Sequence, residues 1–407
     1  MEKICINWIT TITFLISIIS SIYFLQIQFL HNLTINFNHK TLKKSPNLPL
    51  RFNSHDGTFK ILQVADMHFG QGLLTKCRDV LPSEFKYCSD LNTTRFVQRL
   101  IDAENPDFLV FTGDNIFGSS TPDAAESLFS VFRPAMESRL PWAAVLGNHD
   151  QESTMNREEL MSLISLMDYS VSQVNPSAEN FDSHGDRNML TGIDGFGNYN
   201  LEVHGPYGSA SANRSVLNLF FLDSGDRVTV EGRRTYGWIR NSQLDWLQAL
   251  SRKEQDEHEE TSNLGGSHFP MTTPMSLGFF HIPIPEIRQL YYQKIVGQFQ
   301  EAIACSSVNS GVLNRLVAMK NVKAVFIGHD HTNDFCGNLD GIWFCYGGGS
   351  GYHGYGKVGW PRRARIILAQ LSKTSTWTSL ERITTWKRLD DEMLSKIDEQ
   401  VLWNRDS

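Results

Sequence analysis

Five short polar clusters, each at the end of an apolar run, constrain this chain more than any other feature. In sequence order they read ADMH, TGD, GNHD, FFHIP and GHDH. Their candidate chemical groups are Asp66, His68, Asp114, Asn148, His149, His281, His329 and His331. Carboxylate and amide oxygens and imidazole nitrogens are ligands for divalent metal ions. This set is large enough for two neighbouring ions, an arrangement typical of phosphate-ester hydrolysis.

The apolar runs predict buried strands, because they are short, rich in β-branched and aromatic residues, and bounded by turn residues. They read KILQVA, DFLVFT, WAAVLG, VLNLFFLD, LGFFHI and VKAVFIG. Helical spacing between them predicts helices over Thr93–Ala103, Pro122–Arg139, Arg157–Met167, Asn241–Arg252 and Glu286–Ala304. This alternation predicts an α/β domain with mainly parallel pairing. Asn198–Val203 and Val216–Asp223 could be neighbouring strands of a second sheet, and Ala364–Leu371 another strand.

The candidate ligands share one placement, at or just after the end of a predicted strand. In open α/β sheets the ligand crevice lies beyond the carboxyl ends of the strands, so residues distant in sequence can converge there. Taken singly, an Asp at such a position is usually a helix cap or turn former, and a lone His is as often a core residue. The two histidines of GHDH stand at i and i+2 and project to one side of an extended segment. The joint pattern favours a metal site.

The order DxH, GD, GNH, H and GHxH resembles the signature of calcineurin-like metallophosphoesterases, over about Lys60 to Tyr346. The surrounding sequence, including VLGNHDQES and GHDHTNDFCG, resembles the plant purple acid phosphatase-like branch, whose members are often labelled probable inactive. The resemblance implies a four-layer α/β/β/α sandwich of two mixed sheets flanked by helices. It also implies a hydrolase that acts on phosphoric ester bonds.

The same resemblance implies a role for each polar group. Asp66, His68 and His331 would hold one metal, Asn148, His281 and His329 the other, and Asp114 would bridge the two. A metal-bound hydroxide would attack phosphorus, and His149 would assist the leaving group. Asp150 and Asp66 are both candidates for the group that orients His149, and the sequence does not choose between them.

Phe117 departs from the purple enzymes, which carry a metal-binding Tyr three residues after the bridging Asp. Those enzymes also lack a ligand at the position of His68. Imidazole in place of phenolate favours two divalent ions, Fe, Zn or Mn, over ferric iron. The alternative that Phe117 favours is a catalytically inactive, metal-binding secretory glycoprotein that binds a phosphorylated ligand or partner.

Substrate contacts are less constrained by the sequence than the metal ligands. The Gly-rich run 346–356 could offer Tyr352 and His353 to substrate phosphate, or it could be a plain turn-rich loop. His184 and His204 lie in the region that usually caps the site in the resembled superfamily, whereas Arg233 and Arg234 have no positional support. The expected substrate is a phosphate-ester small molecule or a phosphoprotein. The net charge of −7 argues against nucleic acid.

The N-terminus predicts entry into the secretory pathway. Residues 8–25 are uncharged, which is long for a signal peptide and short for a membrane span, so residues 1–30 are either a signal peptide or a signal anchor. We expect a secreted, vacuolar or membrane-anchored luminal protein, with membrane contact only through such an anchor. An oxidising lumen would allow disulfides within two cysteine pairs, Cys77 with Cys88 and Cys336 with Cys345. Three sequons, at Asn32, Asn92 and Asn213, would then be open to glycosylation.

The remaining chain divides into three parts. Residues 31–54 read as a polar linker, and residues 55–372 as the phosphoesterase-like domain. Within it, residues 251–274 are charge-rich and then rich in Gly, Thr and Pro, which predicts a mobile surface insertion. Residues 373–407 form a C-terminal extension without an assigned structure. Cys305, in a helical pattern, is expected to be a buried free thiol.

Overall fold

The computed structural model describes residues 12–25, 43–176, 192–263, 273–372 and 379–405. The chain divides into two compact units, Met1–Lys44 and Ser45–Ser407. In the first unit, residues 12–25 form helix α1. Among the helices in these described ranges, none is both long and apolar enough to cross a membrane. The targeting role of residues 1–30 stays a prediction.

The second unit contains two large mixed sheets and one two-stranded hairpin. The strands are β1 Leu50–Arg51, β2 Thr58–Val64, β3 Phe108–Thr112, β4 Trp142–Val145, β5 Tyr199–His204, β6 Ser215–Phe221, β7 Arg227–Val230, β8 Arg233–Tyr236, β9 Met275–Phe279, β10 Ile295–Val296, β11 Val322–Ile327, β12 Cys336–Leu339, β13 Ile342–Tyr346, β14 Arg363–Leu371, β15 Leu380–Leu389 and β16 Lys396–Asn404. The helices are α2 Pro82–Phe85, α3 Leu91–Glu104, α4 Ala124–Val131, α5 Arg133–Ser138, α6 Arg157–Leu166, α7 Asn241–Asn263 and α8 Val312–Met319.

One sheet has the strand order β16-β15-β14-β2-β3-β4, and the other β1-β5-β6-β9-β11-β13-β12-β10. Strands β2, β3 and β4 are parallel, and so are β6, β9, β11 and β13. The strands that precede the candidate ligands therefore run in one direction within each sheet. The prediction of two mixed sheets flanked by helices is confirmed, as is the pairing of β5 with β6.

The two sheets pack on each other through apolar inner faces. Phe221, Phe279 and Phe326 stack across adjacent strands of the eight-stranded sheet, with ring centroids 5.1 and 5.4 Å apart. Each such ring contributes roughly 1.5–3 kcal/mol when fully buried. The Nε2 of Gln63, on β2, also donates a hydrogen bond of 3.1 Å to the Ile327 carbonyl on β11. These contacts fix the ends of β2 and β11 beside each other.

Helices cover the outer faces of the sheets. Phe96, Val97, Leu100 and Ile101 form the buried face of α3, at the i, i+1, i+4 spacing of an amphipathic helix. On the other side, α8 buries Leu313 and Leu316 in a second apolar cluster, which includes Val325 of β11. The result is the expected layering of helix, sheet, sheet and helix.

Three predicted helices differ from the observed ones. The segment Pro122–Arg139 is two helices, because Pro134 cannot continue α4 but fits the first turn of α5. The helix predicted to end at Arg252 continues to Asn263, well into segment 251–274. In place of the helix predicted over Glu286–Ala304, the chain forms a short 3-10 helix over Pro285–Tyr292. The following Ile295–Val296 is a strand that pairs with β12. Cys305 consequently lies outside any helix, although it is a buried free thiol as expected.

Residues 373–407 supply two strands to the six-stranded sheet. β15 pairs antiparallel with β14, and β16 pairs antiparallel with β15. β15 buries Ile383 and Trp386 in the main apolar core. This part of the chain therefore completes the sheet that carries β2, β3 and β4.

Candidate metal centre

The ligand-bearing loops begin where parallel strands end, and four of their residues adopt left-handed backbone conformations. These residues are Asp66, His68, Asp114 and His329, with φ between 45° and 82°. Such a conformation costs a residue with a side chain roughly 1–3 kcal/mol and persists where the surrounding structure holds it. The backbone is therefore strained at the points from which the candidate ligands project.

Two glycines allow the loops to approach closely. A Cβ atom at Gly113, where φ is +86°, would lie 2.5 Å from Nδ1 of His281. A Cβ at Gly147 would overlap the Asp114 carboxylate and its backbone nitrogen. The GD and GNH motifs thus need glycine because a side chain would occupy the space of a ligand.

Asp114 stands at the centre of the site. Its Oδ2 lies 3.3 Å from Nε2 of His68 and 3.3 Å from Nε2 of His281. Its Oδ1 accepts a 2.7 Å hydrogen bond from the backbone N–H of His149. One carboxylate therefore faces histidines from both sheets and also holds the loop that carries Asn148.

The ligand atoms form two groups that share Asp114. Oxygen and nitrogen atoms of Asp66, His68, Asp114 and His331 lie within 4.8 Å of one another. The same holds for Asp114, His281 and His329. These groups match the two ligand sets implied by the sequence, with Asn148 on the neighbouring loop.

Unpartnered polar atoms show that the site fits metal ions. The Oδ1 of Asn148 and the Nε2 of His329 are buried and have no hydrogen-bond partner among the described residues. A buried polar atom without a partner costs about 1–3 kcal/mol, so such atoms are rare unless they serve a ligand. Amide oxygen and imidazole nitrogen are donors that a divalent ion accepts.

Backbone carbonyls fix the orientation of two imidazole rings. The Nδ1 of His281 donates to the Thr112 carbonyl over 2.8 Å, and the Nδ1 of His331 donates to the Tyr355 carbonyl over 2.8 Å. Each bond leaves the Nε2 atom directed to the site. The ring of Tyr355 also stacks on His331, with centroids 3.8 Å apart.

The pKa values of the ligands follow from burial and mutual charge. Burial lowers the pKa of His329 and His331 well below their usual range, which keeps both rings neutral and able to bind a metal. Burial alone would raise the pKa of Asp114, but His281 and His68 outweigh it and hold that pKa well below its ordinary value. Burial would likewise lower the pKa of His281, yet the Asp114 charge raises it to about 9. Asp114 is thus the permanent negative charge of the site.

Comparison with known proteins agrees with this geometry. The profile of the calcineurin-like phosphoesterase family matches residues 59–333, about two thirds of the chain. The chain belongs to the calcineurin-like phosphoesterase family. This match spans every candidate metal ligand.

Curated relatives with similar sequences are plant and yeast proteins. "Probable inactive purple acid phosphatase 28" of Arabidopsis thaliana is 60% identical over 98% of this chain and 96% of its own length. "Probable inactive purple acid phosphatase 29" of the same plant is 49% identical over 87% of this chain and 88% of its own. "Phosphatase DCR2" of Saccharomyces cerevisiae is 33% identical over 82% of this chain and 54% of its own. A solved dimetal phosphatase from Danio rerio aligns with a TM-score of 0.49 at 14% identity, over 85% of this chain and 99% of that chain.

His149 has two partners that sequence reasoning missed. Its Nδ1 lies 2.9 Å from Oε2 of Glu152, and its Nε2 lies 2.7 Å from Nη2 of Arg227. Glu152 is therefore the orienting carboxylate, and neither Asp150 nor Asp66 has that role. The spacing of three residues between the histidine and the glutamate in GNHDQE could have indicated this pairing. Arg227 lies 78 positions away and has no comparable signal.

Asp150 serves the backbone of the site instead. Its Oδ1 accepts a hydrogen bond of 2.9 Å from the Ile116 N–H, and its Oδ2 accepts one of 2.7 Å from the Gly147 N–H. Burial, reinforced by the charge of Asp114, raises its pKa to about 6. Arg157 donates to the Gly147 carbonyl over 2.6 Å and forms an ion pair with Asp223. These contacts hold the GD and GNH loops at a fixed separation.

Phe117 forms an apolar wall of the site. Its ring centroid lies 4.6 Å from that of His149 and 5.3 Å from that of His68, and the Arg78 guanidinium lies 5.3 Å from it. The ring provides contact area without a metal-binding atom. His68 stands beside it and offers the imidazole instead.

The two candidates of the Gly-rich run, Tyr352 and His353, each have hydrogen-bond partners within the protein. The hydroxyl of Tyr352 donates to Asp390 over 2.6 Å, in the C-terminal part of the sheet. His353 contacts Phe117 at 5.4 Å, but its Nδ1 bonds the Lys76 carbonyl and its Nε2 lies 3.0 Å from the Ser120 hydroxyl. Both side chains already have protein partners, and their contact with substrate stays a prediction.

The other substrate candidates also lie elsewhere or outside the described residues. His204 pairs with Ser215, at the start of β6, and so lies at the opposite edge of the sheet from the site. Its imidazole is 3.0 Å from Glu202, and the prediction of a substrate contact was wrong for it. Arg233 and Arg234 are exposed on the hairpin β7–β8. His184 lies outside the described residues.

The cysteines and two sequons have defined surroundings. Cys77 is disulfide-bonded to Cys88, and Cys336 to Cys345 across the hairpin β12–β13. Asn213 is exposed in a turn, whereas Asn92 is half-buried at the start of α3, where its side chain accepts the Ser89 N–H. Asn32 lies outside the described residues. Glycosylation at all three stays a prediction.

Proposed function

We propose that this protein hydrolyses phosphate esters with two divalent metal ions. The observation that carries the proposal is the position of Asp114, whose Oδ2 lies 3.3 Å from a histidine of each ligand set. A single shared carboxylate is the arrangement that holds two cations close together and offsets their repulsion. The unpartnered Asn148 and His329 atoms support the same conclusion.

The residues divide the chemistry between them. Bound divalent ions supply Lewis acidity and lower the pKa of water, which makes hydroxide available near neutral pH. Asn148 offers a neutral ligand oxygen, which limits the negative charge of the second set. His149 is half-buried and stands at the rim, where it can pass a proton to a leaving oxygen. The Oε2 of Glu152 lies 2.9 Å from Nδ1 of His149 and orients the imidazole ring.

The test uses the full chain, produced through a secretory host and loaded with Mn²⁺, Zn²⁺ or Fe²⁺. Monoesters, diesters and a phosphopeptide form the substrate panel, and elemental analysis counts bound metal. We expect two ions per chain. His149→Ala should keep both ions and lose about 100-fold or more in kcat. The double variant Asn148→Ala, His329→Ala is the matched control for contaminating hydrolases.

Activity of the wild type no higher than that of the double variant would refute the proposal. An absorption band from tyrosinate bound to iron would refute its divalent, colourless character. Phe117 supports that character, because its ring stands beside His149 and His68 without a ligand atom.

The second candidate function is a metal-bearing protein that binds a phosphorylated ligand without turning it over. Phe117 and the names of the Arabidopsis relatives favour it. In that case the metal-loaded protein would bind inorganic phosphate but release no product from any ester. The intact pairing of His149 with Glu152 favours the hydrolase, since binding alone does not require an oriented proton donor.

We further propose that the protein works in the secretory pathway, either secreted, vacuolar or luminal. Two disulfides support this, because such bonds persist in oxidising compartments. The exposed Asn213 turn is compatible with a glycan. A glycan on Asn213 predicts that glycosidase treatment changes the gel mobility of the wild type more than that of Asn213→Gln.

A further inference from the structure

The hairpin β7–β8 reaches the second ligand set with two side chains. Arg227 and Tyr236 are directly opposite each other in the hairpin, so they project from the same face. Arg227 contacts His149, and the ring of Tyr236 packs edge-on against His329 with centroids 4.4 Å apart. The face of the hairpin therefore spans from Asn148 and His149 to His329.

Arg227 makes polar contacts with three residues at this position. Its Nη1 donates to the Asn148 carbonyl over 2.8 Å and to Oε1 of Glu152 over 2.6 Å. Its Nη2 lies 2.7 Å from Nε2 of His149. A guanidinium can only donate, so Nε2 of His149 accepts this bond and the ring proton sits on Nδ1, against Glu152. The cation is thus held at the rim while its outer edge stays accessible, with 42% of the side chain exposed.

We propose that Arg227 is a phosphate-binding residue of this site, which receives a non-bridging oxygen of the substrate's phosphoryl group beside His149. A guanidinium suits a phosphoryl oxygen because its permanently charged N–H groups donate charge-assisted hydrogen bonds to it. Nη1 is engaged with Asn148 and Glu152, so the second N–H of Nη2 is the donor left for a phosphoryl oxygen beside His149.

This inference rests on the proposed function, and its test measures phosphate binding separately from turnover. Titration calorimetry with inorganic phosphate is run on the metal-loaded full chain, beside steady-state kinetics. Arg227→Gln should raise Kd for phosphate and KM for ester about 10- to 100-fold, the cost of one charge-assisted hydrogen bond. Bound metal and the thermal midpoint should stay as in the wild type. Arg234→Gln, an exposed arginine on the same hairpin, is the matched control and should change neither constant.

Chemical rescue separates binding from a merely structural role. Arg227→Ala should regain phosphate affinity when millimolar guanidinium is added, whereas Arg234→Ala should show no response. Unchanged Kd and KM in Arg227→Gln, with an active wild type, would overturn the inference alone. A wild type that binds phosphate without turnover would overturn the proposed function, and the Arg227→Gln Kd would still decide the inference. A metal-loaded wild type that neither binds phosphate nor hydrolyses esters would overturn both.

Discussion

Glu104 joins the C-terminal strands to the rest of the domain, and its replacement by Gln tests how much that junction contributes to stability. Its buried carboxylate accepts a hydrogen bond of 2.9 Å from Nε1 of Trp386 and one of 2.5 Å from Nε of Arg388. The Nζ of Lys60 lies 3.3 Å from the same carboxylate. Hydrogen bonds to a buried charge contribute about 1.5–3 kcal/mol each. Arg388 and Lys60 are 24% and 27% exposed, so water replaces part of what they lose. We expect Glu104→Gln to lower the free energy of unfolding by about 1–3 kcal/mol at pH 7.

The pH dependence gives the sign of the effect. Burial alone would raise the pKa of Glu104, but Trp386 and Arg388 outweigh it and hold the pKa below its ordinary value of 4.5. A carboxylate with a lowered folded-state pKa stabilises the protein above its unfolded pKa and loses that contribution as pH falls through the folded pKa. The difference between wild type and Glu104→Gln should therefore be constant from pH 6 to 8 and shrink below about pH 4.5.

Denaturant unfolding followed by tryptophan fluorescence, across this pH range, measures the difference. Glu399→Gln is the control, because Glu399 forms a surface pair with Lys396 at 2.8 Å and should contribute less than about 1 kcal/mol. A difference for Glu104→Gln that is absent at pH 7, or that persists unchanged at pH 3.5, would refute the reasoning.

Three further outcomes are expected. Gly147→Ala should lose bound metal, measured by elemental analysis, because the new methyl group displaces the Asp114 carboxylate; full occupancy would contradict the close approach. Replacing both Cys336 and Cys345 by Ser should lower the free energy of unfolding by about 2–3 kcal/mol, since the disulfide closes a short loop of separation 9. Removal of metal with a chelator should lower the thermal midpoint, and re-addition should restore it. Metal at a hundredfold excess over Kd should add about 2.7 kcal/mol to the free energy of unfolding. An unchanged midpoint would mean that the buried ligand atoms gain nothing from metal.

The metal ligands were predictable because each follows an apolar run that had to be a buried strand. Asp66 and Asp114 follow parallel neighbours of one sheet, and His281 and His329 follow parallel neighbours of the other. Strand direction alone then brings their loops to one edge. The position of His204 depended on the antiparallel pairing of β5 with β6, and periodicity does not report strand direction.

Arg227 could not be found from the sequence for a related reason. The hairpin β7–β8 has no buried apolar face to mark it, and its most conspicuous pair, Arg233 and Arg234, is exposed. Which arginine reaches His149 follows from the register of the hairpin, in which Arg227 faces Tyr236. The C-terminal strands were missed for a different reason. The apolar residues of β15 recur every third residue rather than every second, so the period that marks a strand is absent.

The ligands of the centre come from both sheets, and this division couples metal affinity to distant packing. Asp66, His68, Asp114 and Asn148 follow strands of the six-stranded sheet, whereas His281, His329 and His331 follow strands of the eight-stranded sheet. A slide of one sheet across the other would change the distances between the candidate ligand atoms of both groups. Substitutions far from solvent, such as at Gln63, which ties β2 to β11, can thus weaken ion binding while the chain stays folded. We therefore expect metal occupancy to report on the alignment of the two sheets even where the chain stays folded.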